Sequence, residues 1–519
     1  MSKKEDVDYE ARAKRMVDRI GGERASEKIR EDVAASRRNK DLGSDSTSLS
    51  NRASHRMENI KGHLQYVEKR TIPVAATCDV LVVGGGPAGL SAAVGAARAG
   101  VDTMIVERYG CFGGTITTVG METLGWYRYE GTVEGNGIGM EMERRAAALD
   151  KDATEKFAFN ESECLDADYF KLVADHLVRD NKIRPLLHTY VVESIVEDGK
   201  IVGVVTESKS GRQVIQAKCV IDCTGDADVA WRAGAECRMN AVKDRMGVTT
   251  IFSAAGVDKE RFMKHIEKKP ATYADWSRTW DQKTTGKEDA LKSPYMEEEF
   301  DKARELGVIP QNTESEKVSI AGSWSSISNA GEARNLNLVH MSGVDVTSAE
   351  ELTEAEMEGR KQAMHALKAL KTVVPGFENS KLRNFSMTLG VRDSRKIIGR
   401  YNLTEEDVKN EARFHDSIGI FPEFIDGYSI LILPTTGRYF QVPYGCLVPE
   451  KIDNLLVGGR CCAGDNASHA AMRNMMACTV SGQGCGVAAA VTVKTGKTTQ
   501  TVDVKAIQGE LKRQGVRID

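Results

Sequence analysis

The segment Cys78–Leu90, CDVLVVGGGPAGL, constrains this chain more than any other. An apolar run, Val80–Val83, drives into three spaced glycines, Gly84, Gly86 and Gly89. A small-residue helical pattern, SAAVGAARAG, follows, and a second apolar run, TMIVE, ends in Glu107. Gly84 permits the turn out of the strand, Gly86 lets backbone approach a pyrophosphate, and Gly89 lets the helix pack close to the strand. The helix N-terminus offers unpaired N–H groups to phosphates, and Glu107 can take both hydroxyls of a ribose. Three glycines alone are a weak sign. Strand, glycines, helix, strand and acid in order are a strong one, and a ligand-free glycine turn does not account for them.

At 519 residues the chain exceeds one ordinary core, so two or more domains are expected. A net charge of −4 is too small to imply a nucleic-acid or membrane partner. No apolar run approaches the roughly 20 residues that span a bilayer. The N-terminal MSKKEDVDYEARAKRM has no apolar signal core. An odd set of 11 cysteines without a secretion signal favours reduced thiols and a cytoplasmic location.

Residues 1–70 form a polar extension. Val7, Ala11, Met16, Val17 and Ile20 mark one amphipathic helical pattern, and Ala25, Ile29 and Val33 a second; GSDSTSLSN reads as a loop. The extension is expected to wrap its own domain or a sister subunit, with a regulatory tail as the sharper alternative. The nucleotide-binding unit opens near Thr71. Beyond Glu107, Gly113, Gly114 and Thr115 can approach the far side of a dinucleotide. Residues 166–180 have a helical period. Leu186–Ile195, Ile201–Glu207 and Arg212–Ile221 predict an antiparallel meander that ends in Thr224–Gly225–Asp226, a second close-approach turn. Residues 240–440 mix charged helical stretches with polar segments and read as an inserted substrate or cap domain. The chain then returns to a strand, Asn454–Val457, and a buried helix, Ala477–Val491. The nucleotide-binding domain is therefore discontinuous, 71–239 with 441–500, and 501–519 form a tail.

The opening motif alone does not separate FAD from NAD. A distant acid after a strand, Asp465 in Gly464–Asp465, could accept hydrogen bonds from a ribityl chain, and the helix after it would aim its N-terminus at a flavin carbonyl. A second three-glycine motif is missing, since Gly135–Asn136–Gly137–Ile138–Gly139 lacks a preceding strand. The reading is FAD, with no NAD(P)H domain.

At this point the chain resembles the FAD-dependent oxidoreductase family of glutathione-reductase-like, two-dinucleotide-binding-domain flavoproteins. The matching pieces include IPVAATCDVLVVGGGPAGLSAAVGAARAG, IVERYGCFGG, VIDCTGDADVAWRAGAE, GVRDSRKIIGRYNLTEEDV and VPYGCLVPEKIDNLLVGGRC, spanning about 70–500. The resemblance implies an α/β fold with a Rossmann-like FAD-binding domain and an inserted α+β substrate domain. It places Gly84, Gly86, Pro87, Ala88 and Gly89 at the pyrophosphate, Glu107 at the adenosine ribose and Arg108 beside the adenine. Gly114 and Thr115 would approach the phosphates or ribityl, and Val192 would meet adenine through its backbone. Thr224 and Gly225 would close over the nucleotide, Asp465 would hold the ribityl or a phosphate, and residues near Asn474 would start the flavin-facing helix. A shared fold leaves the substrate open.

Hydride exchange at a flavin calls for a titratable group nearby. His469 is the first choice, with a structural histidine bonded to backbone as its alternative. Arg392 and Arg395 come next, as carboxylate or enolate holders, against simple ion pairs to Asp393 or an acid in the substrate domain. Arg473 reads as tied to Asp465, and Tyr444 as a buried hydroxyl. Dithiol and metal sites find no support: Cys111 stands alone, Cys461 and Cys462 are adjacent, and the histidines do not cluster. The expected activity is hydride transfer between a small organic substrate and non-covalently bound FAD. A flavin monooxygenase and a partner-docking electron-transfer flavoprotein are the alternatives. A homo-oligomer and an electron-acceptor partner stay open.

Overall fold

The computed structural model describes residues 55–60, 63–124, 134–149, 165–268, 281–283, 296–311, 313, 317–432 and 437–519. They fall into two units, Met1–Ile72 and Pro73–Asp519. In the first, β1 (His55–Ile60) and β2 (His63–Glu68) form an antiparallel hairpin that the sequence pattern did not suggest. The helical patterns expected within 7–33 and the Ser-rich loop lie outside the described residues.

The second unit is built on a mixed sheet. β3 (Val74–Val83) lies between β4 (Thr103–Val106) and β8 (Gly211–Asp222), parallel to both. Val80–Val83 are buried, as a parallel strand covered on both faces requires. The crossover between β3 and β4 is α1 (Pro87–Arg98). Two short helices, α2 (Thr115–Thr118) and α3 (Ile138–Leu149), and then α4 (Ala167–Asp180) lead to β5 (Arg184–Leu186) beside β4. The expected meander is present as β6 (Tyr190–Glu197), β7 (Lys200–Ser208) and β8. This is an α/β fold with a parallel, Rossmann-like sheet.

A second, antiparallel sheet contains β9 (Val248–Ala255), which lies between the strands Glu332–Met341 and Lys381–Phe385. In chain order after β9 come α5 (Lys259–Ile266), α6 (Glu297–Glu305), β10 (Val318–Ser323), β11 (Glu332–Met341), α7 (Ala349–Val373) and β12 (Lys381–Phe385). Helix α7 presses onto β9 so closely that a Cβ at Gly359 would stand 1.9 Å from Thr250 Oγ1. Its core draws members from Phe252 to Phe377, with Phe262 edge-on to Trp324 at 4.9 Å. The expected cap ran to residue 440, but buried apolar side chains from Ile397 onward join the first core. The hairpin of β13 (Ser417–Pro422) and β14 (Tyr439–Pro443) shows why: a Cβ at Gly419 would meet Val480 Cγ1 at 2.3 Å.

The chain closes with β15 (Leu455–Val457), parallel to β8, then α8 (Asn466–Met472), α9 (Met475–Thr495) and α10 (Val504–Arg513). Helix α9 is long and apolar enough to cross a membrane, yet it is buried within the fold. It packs backbone to backbone on α1. A Cβ at Gly482 would lie 2.1 Å from Ala88 O, and one at Gly486 2.0 Å from Ala92 O. Glycines 137 and 139, set aside as a nucleotide motif, serve the same helix: their Cβ atoms would meet Gln483 Oε1 at 2.4 Å and Thr479 Oγ1 at 2.2 Å.

Candidate cofactor and active site

The first wall of the site is the turn after β3. Gly84 has φ +99°, and a Cβ there would lie 2.3 Å from Cys223 O. A Cβ at Gly89 would lie 1.7 Å from Gly84 O, so only glycine lets α1 start this close to the strand. No side chain caps α1 at Gly86, and Pro87 at its first position has no N–H to satisfy. The N–H groups of that first turn point at the site that the glycines keep open. Buried Glu107 accepts from Gly85 N at 2.6 Å and Tyr109 N at 2.9 Å. Each carboxylate oxygen retains acceptor capacity for a ribose hydroxyl.

Gly114 meets this wall from the other side. It has φ +49° and caps α2, whose first residue is Thr115. Arg108 stacks over Tyr109, 4.9 Å from the ring centroid. Val192 sits where the β6–β7 register shifts, between the pairs Val191–Thr206 and Glu193–Val205. Such a bulge residue keeps its backbone groups out of the ladder, as a contact to an adenine edge requires.

The second turn follows β8. The Thr224 hydroxyl donates to Asp222 Oδ1 at 2.7 Å and accepts from Asp228 N at 3.0 Å, and its backbone N–H also donates to Asp222 Oδ1, at 3.0 Å, so Thr224 is committed to holding the turn. Gly225, φ +83°, leaves room for Arg460, whose Nη2 is 2.8 Å from where its Cβ would be. Arg460 pairs with Asp226 at 2.8 Å.

Asp465 needs correcting. It caps α8, accepting from Ser468 N at 2.8 Å, while its other oxygen accepts from Glu405 N at 2.6 Å. Its carboxylate therefore joins α8 to the short helix Glu405–Lys409, a structural task that the ribityl reading did not include. The turn that follows β15 and reaches the phosphate end of α1 is Gly458–Gly459–Arg460, where a Cβ at Gly459 would meet Ala88 Cβ at 2.9 Å. Sequence reasoning passed over it because it searched for an acid; the signal was the strand itself, which ends at Val457. Asn474 starts α9 but turns its amide back to Ala470 O and Ala471 O, at 3.1 and 2.8 Å, leaving the helix terminus without a side-chain cap.

His469 takes the structural alternative, bonded to backbone. It is 3% exposed, and its Nε2 lies 3.0 Å from Arg392 O. A carbonyl only accepts, so Nε2 carries the proton. Burial first, and then Lys396, hold its pKa well below the usual histidine value, against the opposing pull of Asp393. It is a neutral, structural histidine in a buried polar network. Lys396 pairs with Asp393 at 2.5 Å, and Tyr428 Oη donates to Asp393 at 2.5 Å. Asn240 Nδ2 lies 3.2 Å from Asp393 and 3.1 Å from Asn466. The expected ion pairs shift accordingly: Arg395 pairs with Asp228 at 3.0 Å, and Arg473 with Asp426 at 2.8 Å in place of Asp465. Tyr444 Oη donates to Thr499 O at 2.9 Å.

Arg392 points toward the second sheet. Its guanidinium donates to Gly247 O at 3.2 Å and lies 3.5 Å from Asn337 Oδ1. Near it is His340, at the end of β11, whose pKa burial and then the Arg392 charge push down to about 3. No motif marked His340, which lies in a polar stretch read as irregular. On the same seam, Met387 N and Thr388 N donate to Thr118 O at 2.8 and 3.2 Å, and a Cβ at Gly390 would meet Thr249 Cγ2 at 2.5 Å and Val119 Cγ1 at 3.0 Å. The segment 387–392 thus stitches α2 of the nucleotide wall to the second sheet. The ten described cysteines are free thiols, and burial pushes Cys478 up to about 12.

Two glycine turns, an uncapped helix terminus and a buried acid at the end of the second strand have the form of a dinucleotide-binding site. The chain belongs to the FAD dependent oxidoreductase family, whose model matches residues 79–511. Its cofactor is FAD, and the cradle of glycines fits that group. The chain is similar to thiamine thiazole synthase of Methanococcus vannielii, 35% identical over 167 residues, covering 29% of this chain and 58% of that protein. It is also similar to dihydrolipoyl dehydrogenase of Trypanosoma brucei brucei, 48% identical over 52 residues, covering 10% and 11%. The chain thus spans under two thirds of the length of these curated relatives. Among solved structures, a geranylgeranyl bacteriochlorophyll reductase-like protein from Thermoplasma acidophilum is 14% identical, with 84% of this chain and 83% of that chain covered and a TM-score of 0.40.

Proposed function

We propose that the protein is a dehydrogenase or reductase that exchanges a hydride with a small organic substrate bearing a carboxylate or carbonyl oxygen. Its FAD would be held non-covalently, in the manner of the glutathione-reductase-like flavoproteins. FAD, when bound, supplies the two-electron acceptor or donor. The observation that carries the reading is the convergence of Arg392, Asn337 and His340 on the seam beside α2.

Arg392 is always charged and can hold a substrate oxygen through two parallel N–H donors. His340 is neutral across the physiological range, so it can orient a substrate hydroxyl or carbonyl without adding charge. Asn337 and Thr249, bonded to each other, supply a further polar edge. The free thiols support a cytoplasmic location.

Anaerobic titration of the yellow holoenzyme with small hydroxy acids, amino acids and alcohols tests the reading. At least one carboxylate-bearing compound should bleach the flavin, and Arg392→Gln should raise the concentration needed by about tenfold or more. A panel without effect, together with rapid NADPH oxidation and incorporation of oxygen into a product, would overturn it in favour of a monooxygenase.

A further inference from the structure

The pyrophosphate of FAD carries two negative charges, and the turns expected to cradle it bring no cation. Residues 84–89 and 113–118 contain no lysine or arginine. An uncapped helix terminus offers about half a positive charge, which leaves most of the anion uncompensated. The side chain that reaches this region comes from elsewhere in the chain. Arg460 follows the end of β15, where Gly458 N donates to Asp222 O at 3.0 Å and Gly459 packs on Ala88 of α1. Its guanidinium lies against Gly225, and Gly225 itself belongs to the turn that touches Gly84. Arg460 and Asp226 are 16% and 14% exposed, so the pair is largely withdrawn from water.

We infer that Arg460 is a pyrophosphate-holding residue of the FAD site, presented by Asp226 and given room by the absent side chain of Gly225. The inference rests on FAD as the cofactor and not on the substrate reading above. Several contacts hold the pair in place. Ser394 Oγ donates to Asp226 Oδ1 at 2.6 Å, and Arg460 Nη1 lies 3.4 Å from Ser394 Oγ. Arg395, the neighbouring cation, is occupied by Asp228 Oδ1 at 3.0 Å and Asp226 O at 3.1 Å. Although burial opposes its charge, Asp226 is kept ionised by Arg460, Ser394 and Arg108, and so remains a fixed anionic support for the arginine. A guanidinium presents several donors in a fixed fork, so it can keep one bond to Asp226 and turn others to phosphate oxygens.

The competing explanation is an ion pair that only ties β15 to the turn after β8. Binding of FAD, ADP and adenosine to the full chain freed of flavin separates the two, with FAD release from diluted holoenzyme as a second measurement. Arg460→Gln should weaken FAD and ADP by about tenfold or more, leave adenosine within about twofold, and speed FAD release to match. Arg460→Lys should recover part of the loss through its charge. Asp226→Asn, which removes the carboxylate that presents the guanidinium and leaves its charge in place, should lose clearly less FAD and ADP affinity than Arg460→Gln. ADP affinity unchanged in Arg460→Gln, ADP and adenosine weakened alike, or an equal loss in Asp226→Asn would each overturn the assignment.

Discussion

Gly86 and Gly114 face each other backbone to backbone: a Cβ on Gly114 would lie 2.7 Å from the Cα of Gly86. The two turns are also bonded, with Gly113 N donating to Gly85 O at 2.8 Å. The cradle is therefore made by two segments that come together only when the sheet forms.

Gly114→Ala places a methyl group in that gap and strains a residue whose φ is +49°. It should yield protein that purifies nearly free of flavin. The ratio of flavin to protein absorbance checks this, and a thermal melt shows whether the chain still folds. A full flavin complement in the variant would show that the turns yield more than their spacing suggests.

Two glycines on different helices should respond with opposite signs. Gly486→Ala drives a methyl group into Ala92 O on α1 and should cost about 1–3 kcal/mol by urea unfolding. Gly509→Ala, in α10 with nothing within 4 Å of the new atom, should stabilise by about 0.5–1 kcal/mol. Equal effects would show that close contact between α1 and α9 does not control stability.

Glu122 gives the fold a pH dependence. Burial first raises its pKa from 4.5 to about 7, with Ala167 N and Arg334 opposing, and among the described residues Oε2 has no hydrogen-bond partner. Between those two values the folded state holds a proton that the unfolded state has released. Its contribution is thus full below about 4.5 and lost as the pH rises through about 7. Glu122→Gln removes the proton exchange, so the variant should gain on the parent, by on the order of 3 kcal/mol, between pH 5 and 8. Urea titrations at both pH values measure the difference; parallel curves would place the proton elsewhere.

His469 should act through the backbone of Arg392. Glutamine can still donate to Arg392 O, whereas alanine removes that donor at a cost of about 1–3 kcal/mol. His469→Gln should keep the parent pH–activity profile, since the imidazole is neutral throughout. Loss of one limb of that profile would restore His469 as an acid–base group.

Local pattern made much of this fold readable. Continuous apolar runs gave β3, β4 and β8, and the small residues of 477–491 gave α9. The site was harder to read. Asp465 and His469 have the residue types that ribityl binding and proton transfer use, but a helix cap and a backbone carbonyl claim them first. His340 and Asn337 sit on a strand whose register is broken by bulges, so no alternation marked it. Arg460 becomes visible only when β15 is placed beside β8, a pairing across more than 230 residues of sequence that no local pattern encodes.

The seating of α9 on α1 has a consequence for biosynthesis. Ala88 and Ala92 leave the ribosome well before Gly482 and Gly486, the glycines they pack against. A nascent chain halted before Met475 would carry the motif that names its cofactor and lack the helix that holds that motif in place. Flavin retention is therefore expected only of chains that extend through that helix.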